Sequence, residues 1–130
     1  MIEFHLDDRS GLSPYLQLVR QVRQALRVGL LREGDQLPTV KAVVARLAIN
    51  PNTVLKAYRE LEHLGLVSAR PGVGTFVTAT LADASFAAHD SLRQDLRRWL
   101  ADARHAGLDD ESIEALFVTT FRTTAHEDIA

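Results

Sequence analysis

The stretch "LAINPNTVLKAYRELEHLG", from Leu47 to Gly65, decides the fold of this chain. Asn50 is a residue type that caps helix N-termini, and Pro51 suits the first helical position. Apolar residues then recur at helical spacing, namely Val54, Ala57, Tyr58, Leu61 and Leu64. Gly65 is a good stop for the helix. The stretch therefore predicts a helix that buries one side and leaves polar side chains free on the other.

Two further helices are predicted before this stretch. The first begins at Ser13-Pro14 and carries its own apolar stripe, namely Tyr15, Leu18, Val19, Val22, Ala25 and Leu26. A turn-rich loop, "REGDQLP", follows it. Thr39 can then cap a short second helix. Residues 48–50 form a three-residue turn from this second helix into the helix that begins at Pro51.

A β-hairpin is predicted directly after the third helix. Two short β-prone runs, at 66–69 and 75–78, flank "RPGVG", whose Pro and Gly residues suit a hairpin tip. Two helices joined by a short turn and followed by a hairpin make a winged helix-turn-helix, which we assign to residues 1–78. The tip, with Arg70 and Gly72, is compact enough to approach a DNA backbone or minor groove closely.

The sequence pattern of residues 79–130 predicts a tail of two helices that are separated near Gly107. Apolar residues line one face of each helix, namely Phe86, Leu92, Leu96, Trp99 and Leu100 in the first, and Ile113, Leu116, Phe117 and Phe121 in the second. The two helices, roughly 40 residues together, are too small to bury a core alone. We therefore predict that these nine residues form a dimer interface. The fold class is mainly α with a small β-hairpin, a winged helix-turn-helix with a two-helix dimerisation tail.

Composition limits the compartment and the partner. The 130 residues include no cysteine, which excludes disulfides and thiolate metal sites. No apolar run nears the ~20 residues that span a bilayer, and "MIEFHLDDRS" lacks the order of a signal peptide, so we expect a cytoplasmic protein. Residues 1–80 hold ten Lys/Arg and seven Asp/Glu, a net of +3, whereas residues 81–130 hold five and ten, a net of −5. This asymmetry hints that the first part meets an anion.

Side chains at the start of the third helix suit the recognition of bases. Recognition helices enter the major groove with their N-terminal residues against the base edges. Asn52 can bond bidentately to adenine, and the methyl group of Thr53 can pack on that of thymine. Lys56 can reach a guanine edge or a phosphate, and Arg59 is placed for a phosphate. Backbone N–H groups at a helix N-terminus also attract phosphate.

The segment "GDQLPTVKAVVARLAINPNTVLKAYRELEHLGLVSARPGVGTFV" closely resembles the DNA-binding domain of GntR-family transcription regulators. Within it "NPNTVLKAYRELE", together with the short chain and the helical tail, is most similar to the YtrA subfamily. The resemblance covers residues 8–78 strongly and the tail by length and pattern only. It implies a homodimeric repressor, nucleoid-associated when DNA-bound. Dimer symmetry then predicts an inverted-repeat operator in double-stranded DNA.

The resemblance is carried over residue by residue. The family commonly has Arg where this chain has Lys41, which keeps the charge and loses the bidentate fork. Pro51 and Leu55 also stand where other subfamilies often have Arg. Base readout is therefore expected to fall on Asn52, Thr53 and Lys56. The full set of expected DNA contacts is Thr39, Lys41, Asn50, Pro51, Asn52, Thr53, Lys56, Arg59, Arg70 and Gly72.

Other classes of function find less support. The sequence contains no Gly-rich phosphate loop, no nucleophile elbow and no Ser/His/Asp motif, so we expect no enzyme activity and no cofactor. None of the five His residues is three or four positions from another, so we expect no metal site. A winged-helix module that binds protein, without specific DNA binding, is the alternative. Whether a small-molecule effector acts on the chain stays open.

Overall fold

The computed structural model describes the backbone of residues 2–81 and 86–129, with side chains from 2 to 81 and from 87 to 125. The chain divides into two compact units, Met1–Phe86 and Ala87–Ala130. In the described ranges the elements are α1 (Pro14–Arg27), α2 (Val40–Leu47), α3 (Pro51–His63), β1 (Val67–Arg70), β2 (Gly74–Val77), α4 (Phe86–His105) and α5 (Asp110–Ile129). This order confirms the predicted mainly α fold. None of these helices is long and apolar enough to cross a membrane.

The core of the first unit lies where α3 packs against α1 and α2. Leu18 and Leu26 of α1 and Val54 and Leu61 of α3 are fully buried. Because such residues recur every three or four positions, each helix turns one face to the core and the opposite face to solvent. The predicted stripe of α3 is wrong at Leu64, which is 45% exposed because the helix ends one residue before it.

Both predicted caps in the helix-turn-helix are confirmed. The hydroxyl of Thr39 accepts a hydrogen bond from the backbone N–H of Ala42 at 3.1 Å. The side-chain oxygen of Asn50 accepts one from the N–H of Asn52 at 2.8 Å. Between the two helices Ala48 has φ 54° and ψ 43°, a left-handed conformation that is uncommon without glycine. Because this single residue stops α2, the turn between the two helices is short, and α3 begins three residues after Ala48, at Pro51.

A short segment before α2 pairs with the hairpin through an isolated bridge between Gln36 and Phe76, which no local pattern in the sequence predicts. β1 and β2 pair antiparallel, with Val67 opposite Val77. The N–H of Leu37 donates to the carbonyl of Thr75 at 2.8 Å, and the N–H of Val77 donates to that of Asp35 at 2.8 Å. The predicted loop "REGDQLP" therefore pairs in part with the free edge of β2. This pairing ties the hairpin to the segment that leads into α2.

Two glutamine side chains of α1 hold an extended N-terminal segment, which the sequence analysis did not foresee. The carboxamide of Gln21 accepts from the N–H of His5 at 3.1 Å and donates to its carbonyl at 2.7 Å. One turn earlier, Gln17 makes the same pair of bonds with Asp7, at 2.8 and 3.0 Å. Residues two apart in an extended chain present the same edge, so both can be held by one helix. The arrangement brings Phe4 into the core, where it is 2% exposed.

The second unit consists of α4 and α5. Ala103 of α4 and Ile113 of α5 are buried. Larger apolar residues remain exposed, namely Leu92, Leu96, Leu116, Phe117 and Phe121. The rings of Phe117 and Phe121 stack with their centroids 6.0 Å apart. A single copy of this unit therefore leaves much of its apolar surface in water.

The start of α5 is capped by an acidic residue. The carboxylate of Asp109 accepts a hydrogen bond from the backbone N–H of Ser112 at 2.8 Å, as an N-cap does. This bond from Ser112 lowers the pKa of the Asp109 carboxyl. Asp110 and Glu111 lie in the first turn, where negative charge suits the positive end of the helix dipole. The acidic cluster at 109–111 is thus accounted for by helix initiation.

Tyr58 links α3 to the segment that leads into α2 and supports a prediction about alkaline stability. Its hydroxyl donates to the carbonyl of Pro38 at 2.5 Å, and its side chain is 7% exposed. Burial raises the pKa of the Tyr58 phenol above its usual value. The unfolded chain ionises this group from about pH 10 upward while the folded chain keeps it protonated. The free energy of unfolding should therefore fall above pH ~10, by up to about 1.4 kcal/mol per pH unit.

Replacing Tyr58 by Phe tests this expectation. At pH 7 the variant should lose about 1 kcal/mol, since it lacks the hydrogen bond to Pro38. Its stability curve should then converge with that of the wild type as the pH rises past 10. Urea unfolding between pH 8 and 11, followed by circular dichroism, measures both effects. Parallel curves for the two proteins would show that Tyr58 does not carry the alkaline loss.

Candidate nucleic-acid interface

The outer face of α3 is the centre of the candidate interface. Asn52, Leu55, Lys56 and Arg59 are exposed and occupy positions i, i+3, i+4 and i+7, so they share one side of the helix. The opposite side is buried against α1 and α2. An α-helix with one free face fits the width of a B-DNA major groove. The structure thus presents most of the predicted base-reading residues together, with Thr53 half-buried at the edge.

The backbone at the start of α3 is already engaged. Pro51 has no N–H, the N–H of Asn52 donates to the side chain of Asn50, and the N–H of Thr53 donates to the carbonyl of Asn50 at 3.0 Å. The expectation that phosphate binds backbone N–H groups here is therefore not supported. At this end of α3, side chains and not backbone N–H groups are available to contact a ligand. Asn50 and Pro51 accordingly serve to set where the helix begins.

The start of α2 keeps the backbone donors that the start of α3 lacks. Among the described residues, the N–H groups of Val40 and Lys41 have no hydrogen-bond partner. Lys41 is also exposed, and its ammonium belongs to the same first turn. The side-chain oxygen of Thr39 is occupied by its cap with Ala42. The start of α2 is better suited than the start of α3 to bind a phosphate, because free N–H groups and a cation lie together there.

Lys56 is directed toward α1 and not straight out from α3. Its ammonium lies 3.9 Å from the centroid of the Tyr15 ring, a cation–π contact. Tyr15 belongs to the first turn of α1, so Lys56 spans the gap between the two helices. Arg59, by contrast, has no ion-pair partner among the described residues. Sequence spacing placed Lys56 on the outer face correctly but could not predict that the Tyr15 ring holds its ammonium.

The wing presents Arg70 and Gly72 as expected. The guanidinium of Arg70 lies 4.6 Å from the centroid of the Phe76 ring, which holds it beside the hairpin. Gly72 is exposed at the tip with φ 76°, a conformation that favours glycine. Gly74 has φ 147°, and a Cβ there would lie 2.4 Å from the side-chain nitrogen of Gln36. Gly74 and Gln36 therefore shape the wing. Of these two residues, the sequence indicated only Gly74, as one of the glycines of "RPGVG".

The predicted dimer residues do not all lie on the surface. Trp99 and Leu100 are half-buried, and Ile113 is only 5% exposed, so Ile113 belongs to the interior of its own unit. Four of the exposed members, all but Leu92, border a cleft of about 370 Å³ between α4 and α5, lined by Leu96, Trp99, Leu116, Phe117, Thr120, Phe121 and Thr124. The side chain of Phe86 lies outside the described residues. In the parts of the chain that are described, no three His, Asp or Glu residues cluster as metal ligands do.

Known proteins are similar to this chain in both of its units. Residues 14–77 fit the family model described as bacterial regulatory proteins, gntR family. The HTH-type transcriptional repressor YtrA of Bacillus subtilis is 31% identical over 112 residues, which cover 83% of this chain and 84% of that protein. The relatives of the present chain are named as transcriptional regulators and not as enzymes, which confirms the expectation of a non-enzymatic protein.

Solved structures extend the similarity into the tail. A transcriptional antiterminator from Listeria monocytogenes EGD-e is 29% identical with a TM-score of 0.58, and covers 92% of this chain and 90% of its own. YtrA from Sulfolobus acidocaldarius, a GntR-family transcription factor, is 27% identical with a TM-score of 0.53, over 75% of this chain and 96% of its own. These matches confirm the winged helix and the C-terminal helices, and they agree with the resemblance to YtrA-like regulators.

Proposed function

Because the chain belongs to the GntR family of bacterial regulatory proteins, we propose that it is a homodimeric repressor that binds an inverted-repeat operator in double-stranded DNA. The observation that carries the proposal is the outer face of α3. There Asn52, Lys56 and Arg59 are exposed on a helix whose other face is fixed in the core. Such a face supplies hydrogen-bond donors and acceptors for base edges and cations for phosphates.

Phosphate contacts fix the register of the recognition helix in this proposal. The free N–H groups and the ammonium at the start of α2 bind one phosphate, and Arg59 binds another. Arg70 and Gly72 of the wing approach the backbone beside the same groove. The ten candidate contacts predicted from the sequence all belong to the first unit, where the net charge is positive.

The exposed apolar face of the second unit supports the dimer. Leu96, Leu116, Phe117 and Phe121 remain between 43% and 65% exposed in one copy. A second copy placed by two-fold symmetry covers this face with an identical one, as isologous dimers do. Two recognition helices related by that axis read an inverted repeat. The name of the Bacillus subtilis relative favours repression over activation. A cytoplasmic protein, located on the nucleoid when bound to DNA, follows from this role.

Selection of bound sequences from a random duplex DNA library tests the proposal. The full chain is used at ~150 mM salt, where nonspecific attraction to phosphates is suppressed. We expect an enriched inverted repeat with half-sites about one helical turn apart or more. Placing that repeat between a promoter and a reporter gene should then lower expression when the protein is present. No enrichment would favour a winged-helix module that binds protein and would overturn the proposed function.

A further inference from the structure

Leu55 is an apolar residue on a face that is otherwise polar. It is 37% exposed on the outer face of α3, between Asn52 and Arg59. Single exposed leucines are ordinary on protein surfaces. On a helix that enters a major groove, however, the neighbours of the side chain are phosphates and base edges, which are mostly polar. The apolar group that a major groove presents is the 5-methyl group of thymine.

The fold fixes where the Leu55 side chain points. Val54 and Tyr58 are buried on either side of it in the sequence, so α3 cannot rotate to hide Leu55 in the core. Tyr58, which lies on the buried side of α3, is anchored by its hydrogen bond to Pro38 and so fixes the rotation of the helix. The ammonium of the neighbouring Lys56 lies on the Tyr15 ring, toward α1. The side chain is therefore exposed and directionally fixed.

Distances along the helix relate Leu55 to the base that Asn52 meets. Three residues of α-helix advance about 4.5 Å, and successive base pairs of DNA are about 3.4 Å apart. Leu55 thus meets the base pair next to, or one beyond, the pair read by Asn52. We propose that Leu55 determines specificity by packing on the 5-methyl group of a thymine there, an inference that rests on the proposed function above.

Uracil provides the test, because it differs from thymine only by the missing methyl group. The full chain is titrated against the selected operator and against duplexes in which each thymine of the half-site is replaced by uracil, one position at a time. We expect one position where the replacement weakens wild-type binding about fourfold per half-site, as loss of one buried methyl group does. Leu55→Ala should bind the thymine and uracil duplexes equally at that position.

Val73→Ala is the matched control. Val73 is an apolar residue of the wing tip, 64% exposed, and lies on the hairpin and not on α3. A wing beside the backbone or minor groove meets no thymine methyl group, so this variant should keep the wild-type preference for thymine over uracil. If Leu55→Ala is unstable, Leu55→Gln takes its place, since Gln is of similar length and is a good helix former. A thymine preference at that position which persists in the Leu55 variant belongs to another residue, such as Thr53, and overturns the inference.

The possible results distinguish a failure of this inference from a failure of the proposed function. A protein that selects an operator but binds every uracil duplex as tightly as the thymine duplex overturns the inference alone. So does an operator without thymine in its half-sites, or a Leu55→Ala protein that still prefers thymine. A chain that selects no operator overturns the proposed function and this inference with it. A thymine preference lost in Leu55→Ala and kept in Val73→Ala supports both.

Discussion

Phe117→Glu is expected to convert the protein into a monomer and to weaken operator binding at least about 100-fold. In one copy of the chain Phe117 is 47% exposed, so a carboxylate there meets water and costs the isolated unit little. In the proposed dimer the same position is covered by the second copy. Two carboxylates, one from each copy, would be buried without partners, which costs several kcal/mol.

Loss of the dimer lowers operator affinity because the two half-sites are no longer bound together. In a dimer the second recognition helix binds at a high effective concentration once the first is bound, an advantage of about 100- to 10,000-fold. A monomer loses that advantage although its α3 is unchanged. Sedimentation velocity at micromolar protein measures the oligomeric state, and titration of labelled operator measures affinity.

Ala115→Glu is the control for this experiment. Ala115 is exposed on α5, two residues before Phe117 and so on the other side of the helix. The variant adds the same charge to the same helix and should remain dimeric with wild-type affinity. Circular dichroism should report unchanged helix content in both variants. A Phe117→Glu protein that still sediments as a dimer would contradict the proposed interface.

The helix-turn-helix could be predicted from sequence because its signals are local. Asn50, Pro51 and the apolar spacing of α3 lie within one short segment, and the caps at Thr39 and Asn50 are found where they were predicted. Ser13, also expected to cap a helix, precedes α1 without a side-chain capping bond. The error at Leu64 arose at a boundary, where spacing continues beyond the last helical turn. Periodicity reports which side of a helix is apolar and does not fix the residue at which it ends.

The missed features depend on contacts between distant segments. The bridge to the hairpin forms because the segment at 34–37 meets β2 about 40 residues later. Gln17 and Gln21 hold backbone groups of a segment that has no distinctive pattern of its own. The ammonium of Lys56 lies on Tyr15, 41 positions earlier, only because α1 packs on α3. No local rule in the sequence specifies these partners.

Asn52→Ala is expected to cost about 1–3 kcal/mol per half-site, which is about 5- to 150-fold in affinity for each. Among the described residues the Asn52 carboxamide has no hydrogen-bond partner, so its donor and acceptor are free for an adenine edge. The substitution keeps the backbone N–H that Asn50 caps. Because Ala is a good helix former, the free energy of unfolding should change little.

Specificity distinguishes this loss from that of a phosphate contact. Asn52→Ala should relax the preference at one base pair of each half-site and leave the salt dependence of binding unchanged. Arg59→Ala should weaken binding to all sequences alike and reduce the slope of log affinity against log salt by about 1 per half-site. Repeating the library selection and a salt titration with both variants separates the two roles. If Asn52→Ala selects the same sequence with the same stringency as the wild type, Asn52 does not read a base, and recognition must lie with Thr53, Leu55, Lys56 or the wing.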